Sequence, residues 1–180
     1  MSLLRLFKLL LVFPALIACA WAAPATHTRV LIVDGYGNHD WQRTTRYIRL
    51  ILDHAGLFDT TVSTYPLHGG ADEVARWAPH FSGYDVVIQT CNDLNGNGPR
   101  WPRPVEKELE DYVAHGGGLY IFHSANNAFA GWPEYNRMIG LGWRNKNFGP
   151  ALTVNDDGSV MRVPPGEGQE IGRASCRERV

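Results

Sequence analysis

Of the 180 residues, 17 are Lys or Arg and 18 are Asp or Glu, a formal net charge of −1. Once the two ends are set aside, residues 23–169 keep 12 basic and 16 acidic side chains, about four negative charges net, which argues against nucleic acid or an anionic membrane as a partner. Three cysteines are present, but Cys19 and Cys176 belong to those ends, so Cys91 has no internal disulfide partner and stability must come from a packed core.

The first end carries Arg5 and Lys8, an apolar run from Leu9 to Trp21 broken only by Pro14, and the small-residue site Ala20-Trp21-Ala22. This pattern predicts a bacterial-type secretory signal over residues 1–22, too short and wrongly flanked for a membrane span, and an exported protein, periplasmic or extracellular. Leu16-Ile17-Ala18-Cys19 also fits the bacterial lipobox, so a lipid anchor at Cys19 stands open as a second reading. At the other end, Glu170 to Val180 back-translates into a common sequencing-library adapter read in frame. The expectation is a natural reading that stops near Gln169 and a domain, residues 23–169, incomplete at its C-terminus.

Between the ends, strands and helices alternate. Arg29 to Val33 is a β-branched and Leu run, and a polar loop follows from Asp34 to Asp40. From Trp41 onward Tyr47, Ile48, Ile51, Leu52 and Ala55 fall on one helical stripe that Gly56 can end. Phe58 to Tyr65 alternates as a second strand, and Tyr84 to Gln89 reads as a third. Pro104 opens a helix carrying Val105, Leu109, Tyr112 and Val113, with Gly116 as its stop, and Leu119 to Phe122 is the fourth strand. Pro133 can open a further helix with Glu134, Tyr135, Met138 and Ile139, the last two facing the core. Ala151 to Val154 and Val160 to Val163, joined by Asn155-Asp156-Asp157-Gly158-Ser159, read as a late hairpin. Strands separated by helices require right-handed crossovers, which predicts a three-layer α/β/α domain around a mainly parallel sheet, flavodoxin-like in class.

Parallel strands present their carboxyl ends to one side, so the loops Asp34 to Asp40, Thr90 to Asn97 and His123 to Asn127 converge there. His123 is the leading candidate, because it stands where a buried strand gives way to the polar run Ser124-Ala125-Asn126-Asn127. A core histidine bonded to a backbone carbonyl is the competing reading. Ser124 lacks glycines two residues to either side, so no G-x-S-x-G elbow is present, and Gly116 to Gly118 precedes its strand and is no phosphate loop.

Val30-Leu31-Ile32-Val33 through Asn38-His39-Asp40-Trp41, Gly116-Gly117-Gly118-Leu119 through His123-Ser124-Ala125, and Trp132-Pro133-Glu134-Tyr135 through Ile139-Gly140 resemble, in order and spacing, the motifs of the ThuA-like, or trehalose-utilisation, family. The resemblance covers about Arg29 to Val163 and implies a class I glutamine amidotransferase-like fold with a role in trehalose-type or related sugar metabolism. It does not imply amide transfer: true glutamine amidotransferases have a nucleophilic Cys at the turn where this chain has His123 and Ser124, and Cys91 follows a different strand. The family's later acidic segment has no counterpart in the sequence.

A sugar offers flat C–H faces to aromatic rings and vicinal hydroxyls to Asp, Asn, Glu and His. Trp41, Trp132 and Tyr135 are the candidate faces, with Asn92, Asp93 and Asn126 as further substrate contacts. His123, His39, Asp40 and Glu134 are the candidate acid and base groups, since imidazole changes charge near physiological pH. Three functions share this inventory: a carbohydrate-processing enzyme, a sugar-binding module without turnover, and a hydrolase in which His39, His123 and a carboxylate hold Zn²⁺. No H-x-H or H-E-x-x-H spacing supports the last, and the sequence names no cofactor.

Overall fold

The computed structural model describes residues 26–94 and 96–167, together with the backbone of residues 173–174. The expected signal peptide, the candidate anchor Cys19 and, apart from Arg173 and Ala174, the suspected adapter tail lie outside the described residues. Among the described residues no helix is long and apolar enough to cross a membrane.

Strand β1 (Thr28–Asp34) pairs in parallel with β2 (Phe58–Thr64) on one side and β3 (Val86–Gln89) on the other, and β4 (Gly118–Ile121) adds to β3, giving the order β2-β1-β3-β4. A central parallel strand must be apolar on both faces, and β1 shows why its run has no polar alternation. Leu31 and Val33 enter one core, while Val30 and Ile32 enter the other. Helix α1 (Trp41–Ala55) sends Ile48 to the second core. After the short α2 (Ala71–Arg76), which the sequence pattern does not single out, α3 (Arg103–Ala114) and α4 (Pro133–Ile139) send Val105, Leu109, Tyr112 and Tyr135 to the first. The result is the expected α/β architecture, flavodoxin-like, with helices on both faces of a parallel sheet.

The helix boundaries follow the sequence signals. Asp40 caps α1 by accepting the backbone N–H of Arg43 at 2.9 Å, and Gly56 takes the left-handed φ of +64° that ends it. The α1 stripe is only partly used: Ile48 is buried and Leu52 half-buried, whereas Tyr47 is 52% and Ile51 68% exposed. α1 lies over β1 and β2, so of this stripe only the pair four residues apart meets the sheet, beside the buried Thr45, and its flanks face outward. Met138 and Ile139 pack against the first core, as expected.

The late hairpin forms as β6 (Ala151–Val154) and β7 (Val160–Val163), closed by Asn155 donating its N–H to Ser159 O at 2.9 Å. It belongs to a small antiparallel sheet that also contains β5 (Leu141–Gly142) and β8 (Arg173–Ala174), neither of which the sequence pattern marks.

The link between β1 and α1 is a buried carboxylate. Asp34, 2% exposed at the end of β1, accepts the Thr45 hydroxyl at 2.6 Å. Burial raises its pKa, and hydroxyl bonds from Thr45 and Thr64 pull the other way without cancelling the rise. A folded-state value above the unfolded one, about 3.9, means that protonation favours the fold. That contribution is complete below the unfolded value and is lost as pH rises through the folded one. Asp34→Asn, which cannot ionise, should therefore be more stable relative to the parent at about pH 7.5 than at about pH 4.5 in urea denaturation. The opposite trend would show the ionised carboxylate to be the stabilising form.

Candidate active site

The strand order reverses between β1 and β3, and the loops leaving the carboxyl ends of β1, β3 and β4 meet outside that point, where flavodoxin-like sheets bind ligands. The β1 and β3 loops are stitched together: Asn92 donates its backbone N–H to Tyr36 O at 3.3 Å and its side-chain amide to Asn38 Oδ1 at 3.1 Å. Thr90 donates both its N–H and its hydroxyl to Val33 O at 3.0 Å. β4 ends with Phe122 donating to Gln89 O at 3.0 Å, after which the chain turns sharply at His123 into a 3-10 turn (His123–Asn127).

That turn brings the two candidate imidazoles together. The His39 and His123 rings stack with centroids 5.0 Å apart and planes inclined by 28°. His123 holds a left-handed φ of +47°, a conformation rare for a residue with a Cβ and concentrated at functional turns. Both rings line a cleft of about 330 Å³ with Gly37, Asp40, Trp41, Arg43, Thr44, Tyr47, Thr90, Phe122 and Ser124. Both are exposed, so the core reading of His123 does not describe this fold.

Of the sequence candidates, the cleft thus gathers His123, His39, Asp40 and Trp41. It does not gather the others. Trp132 and Tyr135 are fully buried and stacked on each other at 5.4 Å, with no face left for a ligand. The Trp132 indole N–H is spent on Glu110 at 2.8 Å, and the Tyr135 hydroxyl donates to Ala125 O while accepting from Gln89 Nε2, both at 2.9 Å. These aromatics are core residues that support the His123 turn from behind, a correction to their reading as pocket walls. Glu134 lies at the start of α4 in an ion pair with Arg137 at 2.7 Å, outside the cleft. Asn92 and Asp93 are buried at the base of their loop, and Asn126 offers its carbonyl to Arg144 at 2.7 Å.

Sequence reasoning missed two groups. Arg43, Thr44 and Tyr47 lie on the first turns of α1, where a helical pattern reads as scaffold; the exposure of Tyr47 is the only signal that it serves the cleft. Arg144 is 3% exposed and donates to Asn126 O, Trp143 O, Ala128 O and Asn136 Oδ1, at 2.7 to 2.9 Å. It clamps the loop that follows His123, and nothing in its local sequence marks it.

Among the described residues, no thiol lines the cleft. Cys91 is buried after β3, and burial pushes its thiol pKa up, the opposite of what an attacking thiolate needs. Among the described residues, no three or more His, Cys, Asp or Glu side chains are placed to share a metal ion.

No family model and no curated protein matches the chain. Among solved structures it is similar to a protein from Parabacteroides merdae ATCC 43184 described as ThuA-like, with 32% identity, a TM-score of 0.67, and coverage of 77% of this chain. The match takes in 48% of the other protein, so this chain spans about half the length of that relative.

Because Trp132 is core, Trp132→Phe should cost about 1–3 kcal/mol of stability through its lost bond to Glu110, with ligand affinity at the cleft unchanged. Calorimetric unfolding and binding titration on the same samples check this; weakened binding with unchanged stability would restore Trp132 to the site.

Proposed function

We propose that this chain is a ThuA-like protein whose carboxyl-edge cleft binds a sugar and moves protons on it with the His39 and His123 imidazoles. The observation that carries the reading is the stacked imidazole pair at a strained turn, inside a cleft at the strand-order reversal. Membership of the family is supported by the ordered motifs and by the similarity to the Parabacteroides merdae protein.

Two adjacent imidazoles suit acid and base catalysis on a hydroxyl-rich molecule. One ring takes a proton from a substrate hydroxyl or carbon while the other delivers one, and groups so positioned contribute about 10²–10⁴-fold in rate. Trp41 and Tyr47 offer the flat faces assigned above to Trp132 and Tyr135, and the hydroxyls of Thr44 and Ser124 add polar contacts at the rim. Asp40 is a secondary participant, because one of its oxygens caps α1.

Asn and Gly fit a left-handed φ with least strain, so His123→Asn tests the chemistry while sparing the turn. It should lower turnover of native and oxidised sugars by about 10²–10⁴-fold, with the melting temperature held near that of the parent. If the parent binds sugars but turns none over, the cleft belongs to a binding module. Unaltered turnover in His123→Asn would remove the imidazole pair from the mechanism.

A further inference from the structure

The cleft carries a charge arrangement that a neutral sugar does not use. Arg43 lines it from α1, and its guanidinium lies 5.7 Å from the centroid of the Tyr47 ring, the stacked posture that leaves the edge of the fork for hydrogen bonding. Among the described residues no carboxylate pairs with Arg43. Asp40, the single acid among the lining residues, turns an oxygen onto its own helix at Arg43 N. The groove continuing along α1 is lined by Arg43 and Arg46, again with Asp40 as its single acid. The same cleft is lined by the two imidazoles, which supply ring N–H donors. The space also suffices for one sugar ring beside Arg43: about 330 Å³ falls within the range of about 300–1,000 Å³ for ligand pockets.

We propose that the cleft selects an acidic monosaccharide, a one-ring sugar whose carboxylate or phosphate is received by Arg43 while its hydroxyls face His39 and His123. This rests on the sugar reading above and narrows it. Guanidinium binds planar or tetrahedral oxyanions through paired N–H donors, and that charge-assisted contact is what separates the acidic ligand from its neutral parent. Arg43 is thus assigned as the specificity residue, and the imidazoles as the reactive pair. The backbone of Arg43 closes the α1 cap whatever its side chain, so the position can be altered without unmaking the helix.

The test is isothermal titration of the parent and Arg43→Gln with glucose, glucuronate and glucose 6-phosphate, circular dichroism confirming the fold of the variant. In the parent, at least one acidic sugar should bind about tenfold or more tightly than glucose, the order expected for one charge-assisted hydrogen bond. Arg43→Gln should erase most of that preference, read as the ratio of acidic-sugar to glucose affinity within the variant. Whichever acid is preferred identifies carboxylate or phosphate as the recognised group. Glucose binding as tightly as both acids overturns the inference and leaves the sugar reading standing. A preference for acid that survives in Arg43→Gln also overturns it, by placing the anion elsewhere. Binding of none of the three overturns both this inference and the sugar reading.

Discussion

The architecture of the cleft depends on one backbone constraint, the left-handed turn at His123. A side chain with a Cβ held there costs on the order of 1–3 kcal/mol and persists only where its surroundings over-determine it. Here they do. Before the turn, the Phe122 N–H is fixed on Gln89 O in the parallel ladder; after it, Ala125 O receives the Tyr135 hydroxyl and Asn126 and Ala128 offer their carbonyls to Arg144. The strain is therefore held by buried bonds on both sides, and its effect is to send the imidazole out of line with β4 and against His39.

The opposing wall is fixed by different means. His39 and Asp40 ride on a loop of seven residues, Asp34 to Asp40, whose two ends are tied. At one end Asp34 grips Thr45 across the β1 and α1 junction, and at the other Asp40 caps the helix. α1 is thereby indexed to the sheet by a buried polar bond as well as by Ile48 and Leu52. Arg43 and Tyr47 gain a fixed place from the same indexing, because they stand one and two turns along a helix whose start is pinned.

The sheet and its site edge were legible in the sequence because their signals are local. β1 reads as a strand from Arg29 to Val33 with no partner known, and the glycine and proline punctuation around α1 and α3 sets their ends to within a residue or two. Convergence of the loops followed from parallel pairing alone. What was not legible depends on partners distant in the chain. Trp132 next to Pro133 looks like a pocket aromatic until Glu110, twenty-two residues earlier on α3, is seen to take its indole N–H. Arg144 in Gly-Trp-Arg-Asn looks like a surface cation until its oxygen partners close around it. β5 and β8 are two residues each, too short for any periodicity to register.

The placement of sulfur and hydroxyl then narrows the chemistry that the cleft can support. Covalent catalysis at the end of a strand needs a nucleophile with its base in hydrogen-bond reach. The one described thiol is Cys91, buried behind β3 with its pKa pushed up, and among the described residues Ser124 makes no hydrogen bond to an imidazole. At the tip of the strained turn, where a nucleophile would be presented, the chain places an imidazole and stacks a second against it. Side chains of that kind exchange protons with a bound molecule and do not need to form a bond to it. Such a cleft offers its ligand stacking, hydrogen bonds and charge, and this is why an arginine with no carboxylate partner among the described residues matters at its wall.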